Sequence, residues 1–349
     1  MSNRLEDYDF DLPPARIAQE PARVRDGALL LALDRASGRT KHGRFSDLPG
    51  LLQSGDLLVL NDTAVRQARL FGRKLGTRGR VEALLLAKVD GGRWRALVRG
   101  AGRPGTVLEF ARGTVRATVV GIDANGEFMI DFDHPDGGER VTAAAGYPPL
   151  PPYIHRREEE ARRRRRSDRS RYQTVFARRP GSVAAPTAGL HFTGRLFERL
   201  ARAGVQTAFV TLDVGPGTFR PIRHDDLAEH QLEAEYAEIP PETVAAIASA
   251  HARCSRVVAV GTTVTRTLET FADGHGSVFS KRGPAGLFIR PGHRFQVIDA
   301  LITNFHLPKS SLFVLAAAFA GRERLLAAYA EAIRMNYRFY SFGDAMLIH

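Results

Sequence analysis

The chain has 349 residues, with 50 Lys and Arg against 38 Asp and Glu, a formal charge of +12, and 44% hydrophobic residues. That length allows two or three domains, and the composition excludes a disordered or fibrous chain. Its longest apolar run, Leu312 to Gly321, lies between Lys309 and Arg322 and falls well short of the about 20 residues a membrane-spanning helix needs, so no membrane segment is expected.

In chain order, the N-terminal stretch MSNRLEDYDFDLPP is acidic and has no apolar signal-peptide core, and the single Cys254 has no internal partner. Both predict a cytoplasmic protein. GALLLALD and GDLLVLND read as buried strands. From Arg69 to Tyr147 the runs VEALLLAKV, RWRALVR, TVLEF, TVRATVVG and EFMIDF alternate with glycine turns, the spacing of a small antiparallel barrel or sandwich. The proline cluster Tyr147 to Ile154 and the stretch His155 to Arg171 read as a connection; the latter holds nine Arg against three Glu and one Asp, +5 of the total charge. Such an excess suits a polyanionic partner, and equally a solvated surface loop.

Beyond the connection, strands and helices alternate. Thr193 caps the helix GRLFERLARAG, which Gly204 stops, and the strand QTAFVTLDV follows. The helix PETVAAIASAHARC leads into the strand RVVAVGT, and then come strand DALITNF and the helices SSLFVLAAAFA and ERLLAAYAEAIRMN. This order predicts an α/β domain with a mostly parallel sheet and helices on both faces, built from residues 1–68 and 148–349, with an antiparallel β-barrel inserted at residues 69–147.

Four polar loops sit where such a fold places its site: Asn61-Asp62-Thr63; APTAGLHF with Thr187, Gly189 and His191; DVGPGTF from Asp213, followed by HQLEAEY with His230, Glu233 and Glu235; and TNFHLPKSS with Thr303, Asn304 and His306. Each also has a purely structural reading, because Asn, Asp and Thr satisfy backbone groups in turns and caps and a loop histidine can be merely hydrogen-bonded. Gly215-Pro216-Gly217 lacks the Lys of a P-loop and the spacing of a dinucleotide fingerprint. Without a Cys cluster or an HExxH pattern no metal site is expected. A polar set at each of several strand ends is more than capping requires.

Through these loops the sequence resembles the S-adenosylmethionine:tRNA ribosyltransferase-isomerases of queuosine biosynthesis. The resemblance runs nearly end to end, through DYDFDLPPARIAQEP, GDLLVLNDT, ARLFGRK, PLPPYI, YQTVFA, GSVAAPTAGLHFT, VGPGTFRPI, AVGTTVTRTLE, LITNFHLPKSSL, AFAG and YRFYSFGDAML. It implies an α/β domain with an inserted small β-barrel. It also implies transfer of the ribosyl moiety of S-adenosylmethionine to 7-aminomethyl-7-deazaguanine at the wobble position of a tRNA, giving epoxyqueuosine with release of adenine and methionine. A base removes a proton beside the sulfonium, the ylide opens the ribose with loss of adenine, and the amine closes the rearranged cyclopentane epoxide. S-adenosylmethionine is then a consumed substrate, no other cofactor and no metal is required, and the partners are tRNA and S-adenosylmethionine, with the protein expected to act as a monomer. Carried onto the matching positions, the acid/base candidates are His191, His230, Glu235 and Asp344, and the positioning candidates are Asn61, Asp62, Thr187, Thr262, Arg266, Asn304 and His306.

The chain departs from the family pattern where VTLH is Val210-Thr211-Leu212-Asp213 and where a His-x-Met-His-Ser-Glu pattern is His230 to Glu235 with Glu233 and Ala234. Asp213 is on that account a candidate base in place of an imidazole. Ala64 follows Asn61-Asp62-Thr63 where the family has Arg, Gln67 replaces the proline of VIPARL, and the segment between PPYI and YQT is longer and more basic. These differences keep two alternatives open: a paralogue using the same ribosyl chemistry on a small-molecule acceptor, and an RNA-binding protein without catalysis. Convergence of His191, Asp213, His230 and Glu235 with the loop Asn304 to His306 on one pocket is expected.

Overall fold

The computed structural model describes residues 2–215, 217 and 222–349, so most of the GPGTFRP segment lies outside the described residues. The chain divides into two compact units, residues 1–64 with 173–349, and residues 65–172. In the first unit the strands are β1 (Leu29–Leu33), β2 (Thr40–Arg44), β3 (Leu57–Asn61), β4 (Gln206–Leu212), β5 (Glu235–Ile239), β6 (Val257–Val260), β7 (Lys281–Ala285), β8 (Ala300–Asn304) and β9 (Ala345–Ile348). They form one nine-stranded sheet in the order β7-β5-β4-β3-β6-β8-β9-β1-β2. β4, β3, β6 and β8 run parallel, and antiparallel pairs close both edges. β9 lies between β8 and β1, parallel to β1, so the two ends of the chain meet in the sheet.

The central strands read as unbroken apolar runs because both faces are covered. Leu31, Leu57, Val59, Val257, Ala259, Leu301 and Met346 point to one core. There they meet α2 (Pro241–Ala252), α3 (Thr262–Thr270), α4 (Ser311–Ala320) and α5 (Arg322–Arg334). Their neighbours Leu30, Leu58, Leu60, Val258, Val260, Ile302 and Leu347 point to the other, where α1 (Gly194–Arg202) packs through Leu196 and Leu200. The cap foreseen for α1 is present, with Thr193 Oγ1 accepting from Leu196 N at 3.1 Å. No described helix is long and apolar enough to cross a membrane.

The second unit holds a closed antiparallel barrel of six strands, ordered Phe128–Phe132, Arg93–Arg99, Arg80–Asp90, Arg69–Lys74, Val107–Phe110 and Val115–Ile122. Leu70, Ala83, Leu85, Trp94, Ala96, Leu108, Phe110, Ala117, Val119 and Ile130 alternate inward and are buried. Two features differ from the sequence reading. A helix, Gly137–Ala145, falls within the barrel segment. Its first two residues are glycine for want of room: a Cβ on Gly137 would lie 2.5 Å from Phe132, and one on Gly138 2.3 Å from the Trp94 indole nitrogen. The Arg-rich stretch is also a helix, Glu158–Arg171, and the compact unit runs on to Tyr172 instead of closing at Tyr147. This helix docks by polar contacts that hydropathy cannot show. Arg165 donates to Gly146 O at 2.9 Å and Ala144 O at 3.2 Å, and buried Arg156 pairs with buried Asp168 at 3.3 Å.

Candidate active site at the strand ends

The parallel strands β3, β4, β6 and β8 end side by side at Asn61, Leu212, Val260 and Asn304. The carboxyl ends of parallel strands are where an open α/β sheet receives ligands. A cleft there is lined by Thr187, Ala188, Val214, Gly261, Thr262, Thr263, Thr303, Asn304 and His306, among others. Gly261 turns the chain from β6 into α3 with φ 99°, a left-handed conformation that suits glycine, and its amide donates to Ile302 O at 2.7 Å. As the residue before α3 it has no side chain to cap the helix, and no acceptor among the described residues takes up the Thr262 and Thr263 amides. The positive end of a helix therefore opens onto the cleft.

Asn304 lines the same cleft. Its Nδ2 donates to Tyr340 O at 3.2 Å and to His191 Nε2 at 3.1 Å, with Asp344 O at 3.5 Å. These acceptors fix which way the amide points. They leave its Oδ1 buried with no partner among the described residues, a costly arrangement unless a ligand supplies a donor. His191 lies stacked on Phe45 with ring centroids 4.9 Å apart. Burial, helped by the Arg338 charge, pushes its pKa down to about 4, so the ring is neutral and its Nε2 accepts from Asn304. His191 thus orients the Asn304 amide. His306 is buried too, with Nε2 2.7 Å from Thr303 Oγ1 and its backbone amide donating to Tyr329 OH at 3.0 Å. Burial pushes its pKa down to about 3. Among the described residues lining the cleft, His306 alone has an ionisable side chain.

The remaining candidates are spread over neighbouring sites. Asn61 works as a piece of backbone, its Nδ2 donating to Leu212 O at 3.0 Å and its Oδ1 accepting from Leu212 N and Thr63 N at 3.1 Å each. Asp62 accepts from Thr211 Oγ1 at 2.7 Å. Both knit β3 to β4. Asp213 accepts from Thr63 Oγ1 at 3.1 Å and packs on Gly181, where a Cβ would come within 2.0 Å of its carboxylate. Glu235 is buried, accepting from Gly215 N at 2.8 Å and pairing with Arg266 at 2.5 Å. Burial raises the Glu235 pKa and the Arg266 charge opposes it. His230 stands half-exposed, edge-on to Phe288 and near His224. Asp344 staples the chain ends, accepting from Leu29 N at 2.9 Å and Arg338 N at 2.7 Å. The expected convergence on one pocket therefore resolves into parts. Thr187, Thr262, Asn304 and His306 line the cleft, and His191 and Asp344 brace Asn304 from behind. Asp213, His230 and Glu235 do not line it, because Asp213 and Glu235 are held by Thr63 and Arg266 and His230 packs on Phe288. Sequence reasoning passed over Thr263 and Gly261, although a glycine directly after the apolar run VVAV and before a helix marks such a turn.

A larger cavity, about 510 Å³, is lined by Tyr8, Pro291, Ala317, Arg322 and Arg324 among others, away from the strand ends. Its arginines are engaged, Arg322 with Asp7 and Arg324 with Arg35 O, so the chemistry points to the cleft. Among the described residues no group of three His, Cys, Asp or Glu is placed to hold a metal ion.

Residues 5–348 match a family model described as queuosine biosynthesis protein. The chain is similar to the S-adenosylmethionine:tRNA ribosyltransferase-isomerase of Moorella thermoacetica, 48% identical over 348 residues and 99% of each chain. It is 50% identical over 351 residues, 99% of each chain, to the protein of the same name from Anaeromyxobacter sp.. Among solved structures it is similar to S-adenosylmethionine tRNA ribosyltransferase from Thermotoga maritima, at 35% identity and a TM-score of 0.55, covering 98% of this chain and 100% of that one.

Proposed function

The chain belongs to the queuosine biosynthesis protein family, and from that premise we infer that it is an S-adenosylmethionine:tRNA ribosyltransferase-isomerase whose strand-end cleft holds the methionine part of S-adenosylmethionine. The reaction moves and rearranges the ribosyl group onto 7-aminomethyl-7-deazaguanine in tRNA, forming epoxyqueuosine and releasing adenine and methionine. S-adenosylmethionine is consumed, and the reading calls for no further cofactor.

One observation carries the placement: the Thr262 and Thr263 amides at a helix start and the buried Asn304 Oδ1, all without a partner among the described residues, belong to residues that line one cleft. An α-amino acid presents a carboxylate and an ammonium on one carbon, and this pairing of donors with an acceptor complements both. His306 then serves as the base beside the sulfonium. With its Nε2–H given to Thr303 Oγ1, its Nδ1 offers a lone pair, and burial keeps the imidazole unprotonated. The adjacent sulfonium acidifies the C–H bond that this lone pair would deprotonate.

The test is adenine release, followed by mass spectrometry, from S-adenosylmethionine with and without tRNA carrying the deazaguanine. Release that requires that tRNA supports the reading; release with a small amine alone, or none, overturns it. Free methionine should inhibit competitively against S-adenosylmethionine, and analogues lacking the carboxylate or the amine should not. Asn304→Leu should raise the KM for S-adenosylmethionine about 10- to 100-fold, the value of one hydrogen bond to a charged group.

A further inference from the structure

The helix Glu158–Arg171 has two kinds of arginine. Arg156, just before it, is buried against Asp168; Arg165 caps carbonyls of the helix Gly137–Ala145 and lies over the Tyr147 ring; Arg164 pairs with Glu160. Arg156 and Arg165 hold the helix to its own unit, with Ala161 and Asp168 on the buried side, while the Arg164 pair lies within the helix. Arg162, Arg166 and Arg169 are exposed, and at spacings of four and three residues they lie in one row along the helix. Arg166 and Arg169 have no ion pair among the described residues. Arg162 has only an exposed pair with Glu158 at 2.6 Å, the kind worth little in water.

We propose that the row Arg162, Arg166 and Arg169 is a binding surface for the phosphate backbone of the tRNA substrate. It rests on the reading of the enzyme as acting on tRNA, and it assigns the inserted unit a part in holding that substrate. The argument is charge complementarity with an anchored scaffold. A helix fixed by buried polar contacts presents guanidiniums in a regular row, and guanidinium pairs with phosphate in bidentate fashion. Three such side chains are more than the helix needs for its own stability, since only the last turn profits from opposing the helix dipole. Arg163, exposed on the adjacent flank, widens the surface.

The experiment measures tRNA affinity from 50 to 200 mM salt for the full chain, for Arg162→Gln/Arg166→Gln/Arg169→Gln, and for a charge-matched control, Arg103→Gln/Arg195→Gln/Arg202→Gln, at exposed positions outside the helix Glu158–Arg171. If each arginine of the row neutralises a phosphate, the row variant loses roughly 2 to 3 from the slope of log affinity against log salt. The affinity ratio between the two salt concentrations then shrinks by roughly 16- to 64-fold. The control keeps the wild-type slope. An unchanged slope in the row variant, or an equal loss in the control, overturns the proposal, the latter because net charge alone would then explain the effect. Wild-type protein that neither binds tRNA nor releases adenine would instead overturn the functional reading beneath it. A melting temperature for each variant confirms that a folded protein is compared.

Discussion

His191 and His306 are held neutral by burial, and this has a consequence for stability. Their folded pKa values, about 4 and about 3, lie below the ordinary 6.5. Between pH 6.5 and about 4 the unfolded chain binds protons that the folded chain refuses, so stability falls as the pH drops through that window. A shift of this size is worth on the order of 3 kcal/mol per histidine at the acid end. The melting temperature should therefore decline from pH 7 to 4.5, and His191→Gln should flatten the decline; an equally steep curve in the variant would remove His191 from the account. Asp213 is a second test at this scale. Held by Thr63 Oγ1 and packed on Gly181, it supports the turn after β4. Asp213→Asn should cost about 1 to 3 kcal/mol of stability and leave turnover per folded molecule unchanged. Lost turnover at a wild-type melting temperature would return Asp213 to catalysis. The sequence could name these residues but not divide them, because a buried Asn that completes a ladder and one that binds a ligand look alike until their partners are known. Asn61 and Asn304 are such a pair.

Among elements, β5 and α3 are tied by the buried pair Glu235–Arg266, whose two members should respond unequally to substitution. Arg266→Leu leaves a carboxylate buried without its cation and should cost about 3 to 5 kcal/mol. Glu235→Gln keeps one acceptor oxygen, which can serve Arg266 while the guanidinium also holds Ala285 O, and should cost less, a ranking that urea unfolding of the two variants checks. Equal losses would mean that packing and not charge holds the contact. Thr193→Ala should cost about 1 kcal/mol, the value of one N-cap. The elements legible in the sequence were those with a period. The barrel strands alternate, the central strands are apolar throughout, and α1 has its cap and its stop. The helix Glu158–Arg171 was not legible because it buries little beyond Ala161 and Asp168 and is anchored by arginine to carbonyls and a carboxylate. The helix Gly137–Ala145 was hidden for another reason: it opens on two glycines, which are poor helix formers and are there to let a backbone approach Phe132 and Trp94.

For the whole molecule, division into two compact units predicts unfolding in more than one step. The single tryptophan, Trp94, is buried in the barrel, so its fluorescence reports residues 65–172 while circular dichroism reports the entire chain. The two signals should give different midpoints, and Arg266→Leu should move the dichroism transition far more than the fluorescence transition. Coincident curves in both proteins would show one cooperative block. The barrel is also contiguous in sequence, whereas the nine-stranded sheet is not. β9 pairs with both β8 and β1, and Asn304 is held by Tyr340 O and Asp344 O. On a ribosome the barrel can fold as soon as residue 172 has emerged, while β1 pairs at once with β2 but must wait some 300 residues for its other neighbour, β9. The cleft is accordingly the last part of the molecule to take shape. A nascent chain cut short before Tyr340 would carry a finished barrel and the ends of β3, β4, β6 and β8 but an Asn304 without Tyr340 O and Asp344 O, and on the reading proposed above it could not hold S-adenosylmethionine prematurely.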